Sequence, residues 1–388
     1  MRSIELFAGA GGLGIGVSRA GFHPLTVVEW NRYCCDTLRE NQLRDLNPVR
    51  EWPLAQADIR QINFKQYEGK VDLVSGGPPC QPFSIGGKHR AHTDVRDMFP
   101  EAVRVIRETR PRAFLFENVK GLTRETFANY FEYLRLQLTY PGITIRPDER
   151  WLDHLSRLER HHIQGKNKGL HYNLVTRVLN AANYGIPQRR ERVFFVGFRA
   201  DLNIEWNFPK ETHSHDALLW EQLHGDEYRA RHSLSKRSSI LTARFIERAK
   251  QLKEKPRRLP WRTVRDALLG IPDPEREPSA AKAYLNHGFQ AGARRYTGHT
   301  GSPLDEPAKT LKAGVHGVPG GENMLLRSDG SVRYFTIRES ARLQTFPDDF
   351  LFHGAWSEAM RQLGNAVPVS LAELLARDIK HHLSVEKK

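Results

Sequence analysis

The chain has 388 residues, 39% of them hydrophobic, three cysteines, and 59 Lys and Arg against 45 Asp and Glu for a net charge of +14. No apolar run approaches the ~20 residues of a membrane helix, the first strand-like run begins at Ser3 and leaves no room for a signal peptide, and Cys34, Cys35 and Cys80 have neither a disulfide framework's count nor zinc-ligand spacing. The length predicts roughly two or three domains, and the charge favours a polyanionic partner, nucleic acid first, in a reducing cytoplasm.

In chain order, SIELFA (3–8), PLTVVEW (24–30), VDLVSGG (71–77) and AFLFENV (113–119) read as strands. DMFPEAVRVIRET (97–109) reads as a helix between the last two, and RVFFVGF (192–198) as a later strand. This alternation predicts an α/β fold with a doubly wound, mostly parallel sheet. Residues 120–170 read as an insertion, in which WLDHLSRLERHH (151–162) is a solvated helix with Leu152, Leu155 and Leu158 at helical spacing. Residues 206–335 lose the alternation and hold 22 Lys/Arg against 15 Asp/Glu, a net of +7, which predicts a smaller, loop-rich basic domain. VPVSLAELLARDIKHHL (367–383) reads as a closing helix. The expected organisation is a catalytic and cofactor-binding unit over 1–205, a second unit over 206–335, and a return to the first over 336–388.

Ligands of an open parallel sheet bind at the carboxyl ends of its strands. After the first strand, Gly9, Gly11 and Gly14 fit G-x-G-x-x-G, and Glu29 lies twenty residues beyond Gly9, at the end of the second strand. That is the signature of a nucleotide-like ligand, with NAD the first guess and the acidic residue on the ribose. Trp30 can stack on an adenine, and Asp58 can accept from its amino group. After the third strand comes Cys80, framed by Pro78, Pro79 and Pro82. Prolines restrict the backbone and so aim a thiolate, and Gly86 and Gly87 give the following segment freedom to act as a lid. Glu117 ends the fourth strand, where poor solvation raises a carboxyl pKa and suits a proton donor. In QRRERV (188–193), Arg190 and Arg192 share one side of an extended segment and can hold an anion, orient Glu117 or bond a carbonyl.

These segments together resemble the DNA (cytosine-5)-methyltransferases of bacterial restriction-modification systems. FAGAGG (7–12) resembles that family's cofactor loop, GGPPCQPFS (76–84) its nucleophile motif, ENV (117–119) its carboxylate motif and QRRER (188–192) its arginine motif. RESARLQTFPD (338–348) and GNAVP (364–368) resemble its last two motifs. The resemblance implies S-adenosyl-L-methionine rather than NAD, S-adenosyl-L-homocysteine as product, and no metal. It implies that Phe7, Gly9, Gly11, Gly12, Glu29, Trp30, Asp58, Ile59, Pro79, Met98, Asn365 and Val367 form the cofactor pocket. It makes Cys80 the nucleophile, Glu117 the partner of ring nitrogen 3, and Arg190 and Arg192 the pocket arginines. It makes 206–335 the target-recognition domain, with Ser84, Gln188, Arg294, Arg295, Lys309, Lys312 and the Thr310–Leu311 pair as candidate contacts to double-stranded DNA. The implied protein is a monomeric, cytoplasmic, nucleoid-associated enzyme with a cognate restriction endonuclease as partner and no membrane. An RNA cytosine methyltransferase is the alternative, since one site serves either polymer; the dedicated 206–335 surface favours reading a duplex groove.

Overall fold

The computed structural model describes residues 1–79, 97–165, 169–235, 243–297, 299–313 and 323–385. Cys80 and Ser84, with Pro82, Gly86 and Gly87, lie outside the described residues.

The centre is a seven-stranded sheet. Its strands are β1 (Arg2–Leu6), β2 (His23–Glu29), β3 (Leu54–Gln56), β4 (Leu73–Gly76), β5 (Ala113–Val119), β6 (Tyr172–Asn180) and β8 (Glu191–Arg199), while a short β7 (Gln188–Arg189) stands apart. The order is β3-β2-β1-β4-β5-β8-β6, with β1 to β5 mutually parallel and β8 antiparallel to both its neighbours. Ile4, Leu73, Val74 and Phe114 to Phe116 are fully buried. That is why Ala113–Phe116 of β5 reads as an unbroken apolar run: helices cover both faces. The crossovers are α1 (Gly12–Arg19), α2 (Arg32–Leu43) and α3 (Phe99–Thr109). Strand order reverses between β1 and β4, which opens a crevice beyond their carboxyl ends.

The one reversed strand decides where the arginines lie. Running against β5, β8 begins where β5 ends, so Arg192 pairs with Val119 and Phe194 with Glu117. The arginine motif is thereby delivered to the same edge as the loops that follow β1, β2 and β4.

Part of the expected insertion belongs to the core. Helix α4 (Ala128–Thr139) buries Tyr130, Tyr133, Leu134, Leu136 and Leu138 in the cluster that also holds Phe114 and Phe195. Helix α5 (Trp151–Gln164) buries Leu155 and Leu158 on that cluster and leaves Leu152 exposed, so it is packed rather than solvated. Trp206 and Phe208 remain in the sheet's cluster, and Trp206 Nε1 donates to Asp378 Oδ1 at 2.5 Å.

The closing helix, Val369–Val385, lies on α1. A Cβ on Gly16 would sit 2.5 Å from Ala372 Cβ and 2.6 Å from Glu373 N, so only glycine permits this approach. Between residue 208 and the RESARLQTFPD segment the described elements are short. A buried Tyr228–Asp305–Arg265 network and a small cluster of Val264, Ala308, Leu311, Leu325, Phe335 and Leu343 hold them. Strand Ala308–Lys309 pairs with β7 and joins this region to the arginine motif. Among the described residues no helix is long and apolar enough to cross a membrane.

Candidate active site

The loops beyond β1, β2, β4 and β5 converge on one cleft of about 690 Å³. At its cofactor end the chain turns sharply after β1. Phe7 (φ 53°) and Gly9 (φ 57°) adopt left-handed backbone, which Gly9 tolerates without cost and Phe7 does not. The Glu29 carboxylate holds that turn. Its Oε2 accepts from Gly9 N at 2.7 Å, and its Oε1 accepts from Trp30 N (2.9 Å) and Asn31 N (2.7 Å). A Cβ on Gly9 would meet no atom within 4 Å and would project into open space, whereas one on Gly12 would lie 2.4 Å from Val367 O. The glycines thus serve two ends: one keeps the cleft open, the other lets α1 meet the GNAVP segment. Gly11 does neither; it caps α1 with φ 87° against Trp52 and is the one expected cofactor residue that does not line the cleft.

Trp30 presents its indole to the cleft and is 70% exposed, a large apolar face with nothing covering it. Ile59 is buried in the same wall. Asp58 is already engaged: Arg60 Nε donates to it at 3.0 Å, and this partner holds its carboxyl below the usual range. Pro79, Met98, Asn365 and Val367 complete the wall. Met98 N donates to Pro79 O at 3.0 Å, which ties the two sides of the rim together. Phe7, Gly9 and Gly12 line the same cleft.

The other end of the cleft is ionic. Glu117 is 7% exposed, and burial pushes its carboxyl up while Arg192 and then Arg190 pull it back. Arg192 Nε lies 2.9 Å from Glu117 Oε1, an ion pair within the cleft. A Cβ on Gly77 would lie 3.5 Å from Glu117 Oε2, and Asn118 Nδ2 donates to Pro78 O at 2.9 Å. The ENV strand end and the GGPP turn are therefore fastened together, with the carboxyl facing the turn.

Arg190 has a different environment. It is 1% exposed, donates to Gly364 O (2.9 Å) and Leu311 O (3.3 Å), and its Nε has no partner; burial pulls its pKa down. It links the cofactor wall to the second unit. Gln188, expected at DNA, is fully buried: its Nε2 donates to Leu343 O and its Oε1 accepts from Leu311 N. Leu311 is likewise buried, and Thr310 Oγ1 donates to Arg189 O at 2.7 Å. Gln188, Thr310 and Leu311 thus form a latch between the arginine motif and the region beyond residue 208. Lys309 Nζ donates to Thr300 Oγ1, and the Lys312 backbone exchanges two bonds with the Asn323 side chain. Arg294 and Arg295 lie on a separate loop, with Arg295 exposed and Arg294 near it.

Cys34 lines the cleft and Cys35 lies behind it, both buried; burial pushes both thiols up, that of Cys35 to about 12. Neither is a thiolate at neutral pH. Glu5, also in the lining, belongs to none of the motifs read from the sequence. It is 2% exposed, Ser75 donates to its Oε2, its Oε1 has no partner, and burial pushes its pKa up to about 8. The available signal is an acidic residue inside the apolar run SIELFA.

A family model for C-5 cytosine-specific DNA methylases matches residues 1–142 and 150–381. The type II methyltransferase M.PspPI of Psychrobacter sp. (strain TA137) is 31% identical over 389 residues, covering 99% of this chain and 80% of that one. M.Eco47II of Escherichia coli is 30% identical over 395 residues, covering 98% and 79%. The crystal structure of the S. pombe Dnmt2 methyltransferase shares the fold, with a TM-score of 0.57 at 18% identity and 99% coverage of both chains.

Proposed function

We propose that this chain, which belongs to the C-5 cytosine-specific DNA methylase family, methylates carbon 5 of a flipped-out cytosine in duplex DNA through a covalent adduct with Cys80. It is a DNA cytosine-5 methyltransferase, and in this reading it is the modification enzyme of a type II restriction-modification system, alongside a cognate endonuclease. What carries the reading is one cleft that contains both the Gly9–Glu29–Trp30 cradle and the Glu117–Arg192 pair, with Pro79, the residue before Cys80, on its rim.

The residues fit S-adenosylmethionine. Gly9 leaves room, the Trp30 indole offers an uncovered stacking face, and Phe7, Ile59, Met98, Asn365 and Val367 wall the space. When bound, S-adenosylmethionine supplies an electrophilic sulfonium methyl. Glu29 holds the glycine turn through three backbone amides, which leaves about one lone-pair site, on Oε2, for a ribose hydroxyl.

Carbon 5 of cytosine is a poor nucleophile. The Cys80 thiolate adds to carbon 6 while Glu117 delivers a proton to ring nitrogen 3, and carbon 5 becomes enamine-like. After methylation a base takes the carbon 5 proton, the thiolate leaves carbon 6, and the proton on ring nitrogen 3 returns to Glu117, which restores the aromatic ring. Glu117 suits the donor role because burial keeps its proton on at higher pH than an exposed carboxyl would. Arg192 steadies Glu117 and offers N–H donors to the base; Arg190 holds the cofactor wall against the second unit. The target atoms are stacked inside a duplex, so the base must swing out at a cost of a few kcal/mol, offset by phosphate contacts of the basic region.

The test is a duplex with 5-fluorocytosine at the methylated position. With S-adenosylmethionine present, fluorine blocks the final elimination and the protein is trapped on DNA through Cys80. Failure to trap, in a preparation that methylates ordinary duplex, removes the covalent mechanism.

A further inference from the structure

One carboxylate in the cofactor wall is already engaged by its own neighbour. Asp58 precedes the short turn Ile59–Gln61, and its Oδ1 accepts from Arg60 N at 3.0 Å. The guanidinium of the same arginine lies side-on to the carboxylate. Its Nε is 3.0 Å from both Oδ1 and Oδ2, and its Nη2 donates to Oδ2. A carboxylate offers about four lone-pair sites, so these three N–H groups leave about one, on Oδ2. Asp58 and Arg60 both line the cleft, and their side chains are 17% and 44% exposed, so a ligand in the cleft reaches the pair.

The backbone around the pair is fixed. Ala57 N donates to Glu29 O at 3.1 Å, which ties the chain before Asp58 to the glycine cradle. On the other side Arg104 of α3 donates to Ile59 O (2.8 Å) and Ile62 O (3.2 Å), and Glu101 and Glu108 hold Arg104 in place. Ile59 is buried beneath the turn. The Arg60 side chain has no such anchorage: its hold on the wall is Asp58, and the other carboxylate that acts on it, Glu101, is already paired with Arg104. A fixed acceptor thus faces a cation that can turn away from it.

We propose that Arg60 is a built-in competitor for the adenine amino group and sets how strongly the cleft selects an adenosyl ligand; this rests on the proposed methyltransferase function, which brings an adenosyl group to Asp58. An N–H donor on a free carboxylate makes a charge-assisted bond, about twice as strong as a neutral one. Here the guanidinium offsets the charge and covers most of the lone pairs. The amino group therefore meets a weakened acceptor or has to turn the arginine out. Turning it out is feasible, because exposed ion pairs contribute little. The adenosyl group is common to the methyl donor and its product, so the competition loosens both without touching the sulfonium end. If Arg60 instead aligned Asp58 for adenine, its removal would have the opposite sign.

The experiment is calorimetric titration of the DNA-free protein with S-adenosylhomocysteine and with its analogue lacking the purine 6-amino group. The proteins are wild type, Arg60→Met, Asp58→Asn and the double variant, each with a thermal melt to check folding. Methionine keeps an apolar stem and removes the guanidinium. Arg60→Met should bind S-adenosylhomocysteine roughly 2- to 5-fold tighter than wild type, the worth of an exposed ion pair, and bind the 6-desamino analogue unchanged. The gain should vanish when Asp58 is asparagine, and it should shrink as salt screens the wild-type pair. Weaker binding by Arg60→Met, or an equal change for both ligands, would overturn the proposal. If wild type binds neither ligand, the methyltransferase reading fails instead, so the two failures are distinct.

Discussion

Replacing Glu117 by glutamine separates a proton donor from a structural carboxyl. Glutamine keeps the shape and the size, so the fit beside Gly77 is preserved. It removes the acidic proton and leaves Arg192, whose Nε sits 2.9 Å away, facing a neutral amide. General acid catalysis by a positioned side chain contributes about 10²–10⁴ in rate, which is about 3–5 kcal/mol of barrier. The single-turnover rate should fall by that factor, while DNA affinity changes less than about threefold because Glu117 is 7% exposed and offers DNA little surface. The pH profile gives a second reading. Burial raises the Glu117 pKa, so the group is protonated and competent at low pH and loses its proton as pH rises through the raised value. The wild-type rate should show that alkaline limb; the glutamine variant should not. Tritium transfer from labelled S-adenosylmethionine across pH, with fluorescence anisotropy for DNA and a thermal melt for folding, supplies all three measurements. A loss of DNA affinity as large as the loss of rate, or an unchanged alkaline limb, would refute the donor role.

Cys80→Ser should abolish methyl transfer yet bind DNA and S-adenosylmethionine; near-normal turnover would end the covalent mechanism. Trp30→Ala should weaken S-adenosylmethionine by about 2- to 10-fold, the worth of a lost aromatic stack, as titration calorimetry can measure; an unchanged affinity would mean the indole covers nothing. Glu5 has a folded-state pKa raised from 4.5 to about 8, so the folded protein is favoured at low pH and loses stability as pH rises between those values. Glu5→Gln removes that slope, and its melting temperature should exceed wild type most near pH 8 and converge toward pH 5; parallel melting curves would refute burial as the cause. Gln188→Leu strands Leu311 N and Leu343 O, each costing about 1–3 kcal/mol, so denaturant unfolding should show an earlier midpoint.

The frame of the fold is legible in the sequence because the framing strands are buried on both sides. AFLFENV is strand β5 residue for residue, Ala113–Val119. Strand β6, YNLVTRVLN, gives no such signal because it borders the sheet: Arg177 is exposed and only Tyr172 and Leu179 are buried, so no apolar run marks it. Helix α4 is hidden because its tyrosines and leucines gain their burial from Phe114 and Phe195, the second of them far away in sequence. In the site, residues next to strand ends are legible because strand ends converge by topology. Asp58 has a local partner in Arg60, two residues on, a pairing that the single carboxylate in the sequence does not announce. The latch of Gln188 and Leu311 depends on a pairing across more than a hundred residues, which no local pattern encodes.

The embrace of α1 by Val369–Val385 has a consequence for biosynthesis. The glycine turn and its helix are made well before the surface they rest on, Val369–Val385. A partly synthesised or prematurely terminated chain therefore lacks the buttress behind its methyl-donor pocket. A fragment that stops before Val369 and carries every other signature residue should therefore be inert.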